Sequence, residues 1–173
     1  MNTDISKIIP QDFNDNSRVW IYQNSASFNN EQINEIESSL NSFIKTWNAH
    51  GSPVKGFAKI LFNKFIIIMA DETATLVSGC STDSFQRKIK EIQQNYNVDL
   101  FNRLALTFIL NDELVTIDLN NLENSISKDQ VNVNTPYFNN TVLTKRELMN
   151  NWIIPAGNSW LNNYFSKSHS SSN

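Results

Sequence analysis

Residues 54–71, VKGFAKILFNKFIIIMAD, decide the fold. Residues 54–62 and 64–71 are each rich in β-branched and aromatic side chains, a composition that favours strands. A tight turn at Asn63-Lys64 joins them, so the stretch predicts a β-hairpin. Its second half holds one of the longest apolar runs in the chain, and this run is far shorter than the roughly 20 residues that cross a bilayer. We therefore expect no membrane insertion.

A strand and a helix precede the hairpin, and a second helix follows it. Residues 18–22, RVWIY, have the composition of a strand. Asn29 with Gln32 indicates a capping box at the start of the first helix. The apolar residues at helical spacing in that helix are Ile33, Ile36, Leu40, Phe43, Ile44 and Trp47. The second helix begins near Ser81, and its apolar face carries Phe85, Ile89, Ile92 and Tyr96.

A second hairpin completes the pattern that defines the predicted fold class. Residues 104–110 and 113–119 predict a further strand pair that flanks a turn at Asn111-Asp112. The first four strands and two helices then follow the order β-α-β-β-α-β, which is that of the ferredoxin-like fold. We expect an α+β protein with a ferredoxin-like βαββαβ core, a mainly antiparallel sheet, an extra hairpin and C-terminal helices.

The C-terminal part predicts two short helices. Thr144 and Glu147 form an S/T-x-x-E capping box, which predicts a helix over about 145–152. A last short helix carries Trp160, Leu161, Tyr164 and Phe165. Two Trp residues flank the Pro/Gly turn between these helices. They are explained either by docking onto the body of the chain or by a surface for a partner.

The length and the absence of a linker favour one domain. The chain has 173 residues, which suits a single α+β domain over residues 1–165, with 1–16 loosely ordered. The Ser-rich residues 166–173 predict a disordered tail. A single Cys excludes a disulfide framework. The first residues lack the pattern of a signal peptide, so we expect the chain to be cytoplasmic.

Charge and ligand composition exclude several classes of partner. The formal net charge is −3, and the 14 basic residues are scattered along the chain. This argues against a dedicated nucleic-acid binder or a protein that binds anionic membranes, since both need a clustered basic face. One Cys and two His do not make a zinc site, and we expect no cofactor. The expected partner is another protein or a second copy of the chain, as a homodimer.

Residues 78–84, SGCSTDS, are the most unusual stretch and lie where a strand leads into a helix. Free N–H groups at a helix start attract anions, and a Cys there has its thiolate stabilised. Cys80 is therefore a candidate nucleophile. The candidate residues for binding an anion or small ligand are Ser78, Gly79, Ser81, Asp83 and Ser84.

A structural interpretation explains the same stretch. If Ser81 is the N-cap, Cys80 falls at the staple position against Phe85 and is a small buried side chain. Asp83 then complements the helix dipole. Both interpretations stay open from the residues alone.

His50 is a candidate base toward Cys80, because Cys/His pairs form nucleophiles. The helix dipole alone also explains a His at the end of the first helix. If the two helices run parallel, that end and the start of the second helix lie at opposite ends of the sheet, which counts against the pair. The acidic pairs Asp71-Glu72 and Asp112-Glu113 are more typical of solvated turns than of catalytic carboxylates.

Five stretches carry a family resemblance: RVWIYQ at 18–23, WNAHG at 47–51, SGCSTDS at 78–84, DLFNR at 99–103, and NWIIP at 151–155 with SW at 159–160. They resemble a set of small, single-domain bacterial proteins, many of which carry the label ABC transporter ATPase. The resemblance covers about 17–165 and brings no established activity or catalytic residues.

The residues do not support the ATPase label. The nearest match to a phosphate-binding loop, 51–58, has Phe57 and Ala58 where Lys and a hydroxyl are required. The chain also lacks an LSGGQ-type signature. The leading hypothesis is a non-enzymatic binding or interaction module. The alternative is thiol-dependent chemistry or a small-ligand site at Cys80, and ATP hydrolysis is the third and disfavoured reading.

Overall fold

A computed structural model of the chain describes residues 1–168 and has α-helices and antiparallel sheets, which confirms the α+β class. The strands are β1 (Arg18–Gln23), β2 (Asn48–Ala49), β3 (Ser52–Pro53), β4 (Lys55–Leu61), β5 (Phe65–Asp71), β6 (Ala105–Leu110), β7 (Glu113–Asp118), β8 (Pro136–Phe138) and β9 (Ile153–Pro155). The α-helices are α1 (Asn30–Thr46), α2 (Gly79–Tyr96), α3 (Leu122–Ser127), α4 (Lys145–Asn151) and α5 (Asn162–Ser168). In the described part of the chain, none of the helices has the length and hydrophobicity that crossing a membrane requires.

The predicted first hairpin forms two of the three strands of an antiparallel sheet with the order β1-β5-β4, in which β5 is the central strand. Phe62 and Asn63 in its turn have φ angles of 52° and 54°. A two-residue hairpin turn of this type requires positive φ at both central positions, so the turn lies one residue earlier than predicted. Every residue of β5 is buried. A strand covered on both faces is a continuous apolar run, which explains the sequence pattern.

Helices α1 and α2 cover one face of this sheet. Ile66 and Ile68 of β5 point to this side and pack against Ile36 of α1 and Phe85 of α2. The predicted capping box at the start of α1 is confirmed, because Asn29 and Gln32 exchange backbone-to-side-chain hydrogen bonds of 2.9 and 3.0 Å. The predicted apolar stripes of both helices therefore point into the same core.

The other face is covered by the N-terminal segment and by residues 138–153. The apolar residues that meet there include Ile5, Ile9, Phe13, Phe65, Ile67, Met69, Phe138, Leu148 and Trp152. Lys145 Nζ donates to the Phe13 carbonyl at 2.7 Å and so ties the first residues to α4. Residues 1–16 are predicted to be loosely ordered, and three of them, Ile5, Ile9 and Phe13, are buried in these contacts.

The second hairpin forms a separate four-stranded sheet with the order β7-β6-β8-β9. Its turn residues, Asn111 and Asp112, have φ angles of 51° and 63°, as its predicted turn requires. Leu106 and Phe108 of β6 bury their side chains against Leu122, Tyr137 and Leu161.

This second sheet changes the predicted topology. In a ferredoxin-like sheet the fourth strand lies beside the first, which here would place β6 beside β1. Instead β6 pairs with β7 on one side and β8 on the other, because its apolar side chains are buried in a cluster of their own. The ferredoxin-like sheet is thus not confirmed, although β1, β5 and β4 keep its order.

The two C-terminal helices are present as α4 and α5. Thr144 caps α4 by accepting a hydrogen bond of 3.2 Å from the Glu147 amide. Trp152 is fully buried, whereas Trp160 is 40% exposed. One ring of the Trp-rich stretch therefore packs into the body of the chain, and the other reaches solvent. Helix α5 overlaps the start of the predicted disordered tail, and residues 169–173 of that tail lie outside the described residues.

Asp71 at the end of β5 is buried, so the expectation that it lies in a solvated turn is wrong. Its carboxylate accepts hydrogen bonds from the Thr73 hydroxyl at 2.5 Å and the Asn14 amide at 3.2 Å. It also forms an ion pair with Lys55 at 3.3 Å. The packing of the N-terminal segment against the sheet is what buries this carboxylate.

The close approach at Gly56 generates a prediction about stability. A Cβ atom at Gly56 would lie 2.8 Å from the Trp47 ring and 2.9 Å from Ile44, whereas one at Gly79 would meet nothing within 4 Å. We expect Gly56→Ala to lower the free energy of unfolding by about 1–3 kcal/mol, because the ring must move. Gly79→Ala should leave it unchanged or raise it by up to ~1 kcal/mol. Urea denaturation measures the free energy of unfolding of both variants. Equal midpoints for the two would contradict the predicted effect of the close approach at Gly56.

The Asp71 contacts predict an acid-dependent loss of stability. The hydrogen bonds from Thr73, with those from Asn14 and Lys55, hold the pKa of Asp71 at about 2, below its ordinary value of 3.8. A pKa lowered by folding stabilises the folded state in full above about pH 4, and this contribution is lost as the pH falls toward 2. We expect Asp71→Asn to be about 2 kcal/mol less stable at pH 7 and to lose less stability between pH 4 and 2. Urea denaturation at each pH measures the free energy of unfolding. An equal loss of this free energy between pH 4 and 2 in the two proteins would contradict the prediction.

Candidate functional site

The start of α2, where the sequence placed a ligand site, is occupied by hydrogen bonds within the helix. Ser78 is the N-cap, three residues earlier than expected, and its hydroxyl accepts from the Ser81 amide at 3.2 Å. The Ser81 hydroxyl accepts in return from the Ser78 amide at 2.8 Å. Ser84 donates its hydroxyl to the Ser81 carbonyl at 2.6 Å. The hydroxyls predicted to line a pocket therefore bind their own helix.

Cys80 is exposed, so the interpretation that it is a small buried side chain is wrong. With Ser78 as the N-cap, Cys80 falls at the second helical position and not at the staple position. Gly79 and Asp83 are exposed as well. His50 lies in the turn between β2 and β3, with a φ angle of 51°, and not at the end of α1. Within residues 1–168, neither Cys80 nor His50 has a hydrogen-bond partner through its side chain.

The helix layout differs from the one that counted against a Cys80/His50 pair. Trp47, the C-cap of α1, donates its indole N–H to the Ser81 carbonyl at 3.0 Å. At the other end, Tyr96 near the end of α2 donates to Glu35 near the start of α1 at 2.7 Å. The helices therefore run antiparallel, and the end of α1 lies beside the start of α2. The objection from parallel helices was wrong, although no contact joins the two side chains.

A groove of about 670 Å³ lies elsewhere, along the edge of β1 that does not pair with β5. One wall is β1 itself, and the facing wall includes Ala105 and Leu106 of β6 and Tyr137 of β8. Gln86 and Lys90 of α2 and the loop after that helix line one side, and residues 140–143 line the other. The groove therefore separates the two sheets at the position where a fourth strand was expected.

The backbone of Ile21 points into this groove. The backbone N–H of Asn24 points toward β5 and donates to the Lys64 carbonyl at 2.9 Å. The backbone N–H of Val19 points away from β5 and donates to the Leu143 carbonyl at 2.9 Å. Alternate residues of an antiparallel strand direct their backbone groups to the same side. Ile21, two residues after Val19, therefore directs its N–H and C=O into the groove. Within residues 1–168, no hydrogen bond reaches Ile21 on that side.

Hydrogen bonds close the groove at both ends. At one end, the bond from Val19 and an isolated bridge between Arg18 and Thr144 hold the chain against β1. At the other end, the side-chain amide of Gln23 donates to the Ala105 carbonyl at 3.1 Å.

A partly buried chain of polar side chains holds Gln23 in place. Asn140 donates to Gln23 at 2.9 Å and accepts from the Trp152 indole at 3.0 Å. This chain links the closed end of the groove to the core under β5, because Trp152 is buried there against Phe65.

Aromatic rings and cations define the chemistry of the groove. Tyr22 packs edge-to-face on Phe101 with ring centroids 5.3 Å apart. Burial raises the pKa of Tyr22 to about 12, and the charge of Arg103 opposes this rise. The Tyr22 hydroxyl is therefore protonated at neutral pH, and it has no hydrogen-bond partner in the described part of the chain. Lys90 and Arg103 line the groove without any Asp or Glu, and neither forms an ion pair within residues 1–168.

Sequence reasoning missed this groove because it placed β6 beside β1, where the strand would have filled the space. Residues 99–103 were singled out only for a family resemblance. They also carry the one local signal for the groove, since Phe101 and Arg103 put an aromatic ring and a cation in the loop between α2 and β6.

Comparison of the chain with family models, with curated proteins and with solved structures finds no match. The likeness to bacterial proteins labelled as ATPases therefore stays a prediction. The thiol-dependent alternative at Cys80 and the expected protein partner or homodimer stay predictions too. Among residues 1–168, no group of three or more His, Cys, Asp or Glu is placed to hold a metal ion.

The exposure of Cys80 predicts rapid alkylation in the folded protein. Because the thiol reaches solvent and is not packed on Phe85, iodoacetamide should modify it at a rate within about 3-fold of that in 8 M urea, and the melting temperature should not change. Mass spectrometry over time measures the rate, with Cys80→Ser as the unreactive control. Labelling that occurs only after unfolding would contradict the exposed position.

Proposed function

We propose that the chain is a non-enzymatic binding module, and that its ligand site is the groove along β1. The ligand has an apolar body and a negative charge. The observation that carries this proposal is the lining of the groove, which among the described residues combines aromatic rings with Lys90 and Arg103 and holds no carboxylate. A volume of about 670 Å³ also falls in the range of small-ligand sites, about 300–1,000 Å³.

The charge of the groove supports an anionic ligand. The whole chain has a formal net charge of −3, so a groove with two cations and no acids is opposite in sign to the rest of the molecule. A local potential of this kind concentrates anions at the site and orients them on approach. The Tyr22 hydroxyl adds a neutral donor beside Arg103.

The absence of Cys, His, Asp and Glu from the lining, among the described residues, supports binding without chemistry. No Cys, His, Asp or Glu lines the groove among the described residues, and these side chains carry most general acid–base catalysis. Tyr22, with a pKa of about 12, holds its proton at neutral pH and serves as a donor. Thr141 is the sole aliphatic hydroxyl of the lining, and no base accompanies it.

The location of the groove supports the same proposal. The order β1-β5-β4 with α1 and α2 on one face is part of a ferredoxin-like arrangement. In our proposal the layer is a ferredoxin-like sheet without its fourth strand, and the vacant position beside β1 is the binding site.

A fluorescent apolar anion, 1-anilinonaphthalene-8-sulfonate, tests the proposal. We expect its emission to rise on binding to the folded protein. Arg103→Gln and Lys90→Gln should each raise its Kd about 2- to 5-fold, the size expected for an exposed charge pair. Arg87→Gln removes the same charge from α2 outside the groove and should leave the Kd unchanged. The uncharged analogue N-phenyl-1-naphthylamine should bind more weakly.

The outcomes separate a specific site from general adhesion. Equal Kd values for the wild type and all three variants, or no emission change at millimolar protein, would contradict the proposal. Circular dichroism of each variant checks that the fold is retained.

A further inference from the structure

We infer that the groove receives the free C-terminus of an extended polypeptide, which pairs its backbone with Ile21 and places its terminal carboxylate at Arg103. This inference rests on the proposed function and names its ligand. It is carried by the unpaired backbone of β1, the closed ends of the groove, and the position of its charges.

The backbone argument begins with the free edge of β1. Ile21 directs an N–H and a C=O into the groove, and no bond reaches them there within residues 1–168. A strand edge with unpaired groups is a template for an added strand, and extended peptides bind many proteins in this way. Here the added strand would lie between β1 and the wall formed by Leu106 and Tyr137.

The closed ends argue for a chain terminus. The backbone bond from Val19 to Leu143, 2.9 Å long, ends the free edge on one side, and on the other the side-chain amide of Gln23 crosses the groove to the Ala105 carbonyl at 3.1 Å. Four residue steps of a strand separate Val19 from Gln23, which is about 13 Å. That length fits three or four residues of a peptide. A strand that continues at both ends would have to break these bonds, whereas a terminus enters from the open side.

The charges argue for the C-terminus. Arg103 and Lys90 lie at the groove without an acidic neighbour in its lining, and an N-terminal ammonium would be repelled by both. An arginine guanidinium binds a carboxylate through two parallel hydrogen bonds. The Tyr22 hydroxyl, protonated at neutral pH and near Arg103, is a further donor for the same group.

Exposed apolar side chains around the groove argue for apolar residues in the ligand. Of the eight large apolar side chains that are exposed within residues 1–168, three line this groove: Phe101, Leu143 and Trp160. Leu143 is 68% exposed. An exposed apolar cluster of this kind marks a surface that is covered by a partner. The last three residues of the ligand should therefore be large and apolar.

Peptide pools test the inference. One synthetic pool has the sequence Gly-Ser-Gly followed by three randomised residues and a free C-terminus, and a second pool is identical but amidated. We expect the full-length protein to retain peptides from the free-acid pool that end in large apolar residues. The best of these, labelled with fluorescein at its N-terminus, should bind at least 10-fold more weakly when amidated, because a hydrogen-bonded charge is lost.

Two further measurements separate strand pairing from simple charge attraction. N-methylation of the last three peptide amides, one at a time, should weaken binding at least 10-fold at the amide that donates to Ile21. Arg103→Gln should remove most of the difference between the acid and the amide, whereas Arg87→Gln should preserve it. Fluorescence anisotropy measures each Kd.

The outcomes distinguish the ligand from the site. If the naphthalene sulfonate binds with the expected charge dependence, but no free-acid peptide binds below 1 mM, the groove is a small-anion site and the peptide inference is overturned. Equal affinity of the acid and the amide, or of all N-methylated forms, would overturn it as well. If neither the dye nor any peptide binds, the proposed function itself fails.

Discussion

The burial of β5 on all sides is the constraint on which the structure depends. This strand is paired along both edges and covered on both faces, and each of its residues is buried. An apolar strand of this kind needs one covering layer on each face of the sheet. The two long helices supply one layer. The other is assembled from the N-terminal segment, α4 and the buried Trp152, so segments that lie far apart in the sequence meet on that face of β5.

The second sheet follows from a competition for β6. This strand either joins β1 and completes the first sheet, or buries Leu106 and Phe108 against the C-terminal helices. The second arrangement gives β6 partners on both edges, since β7 and β8 flank it. Its consequence is that the outer edge of β1 lacks a neighbouring strand and lies between the two sheets, beside the loop that carries Phe101 and Arg103.

Local features could be predicted from the sequence, and long-range choices could not. The turn at Asn111-Asp112 and the capping box at Asn29 depend on residues within a few positions of one another, and both were found. The choice between Ser78 and Ser81 as the cap of α2 was missed because both residues suit that role and each bonds to the other. The pairing of β6 was missed for a different reason. It depends on packing against Leu122 and Leu161, and no local pattern in the sequence links these residues to Leu106 and Phe108. The groove depends on that pairing, so it was missed as well.

The link between Lys145 and the carbonyl of Phe13 has a consequence for the order of folding. These residues are 132 positions apart, and contacts of such separation slow folding because a long loop must close first. During synthesis, the face of β5 that the N-terminal segment and α4 cover stays exposed to water until α4 has been made. The first sheet and its helices are complete in sequence long before that point. A nascent chain would therefore have α1 and α2 packed on one face of the sheet while the opposite apolar face is still uncovered. The protein is most prone to aggregation during this stage of synthesis.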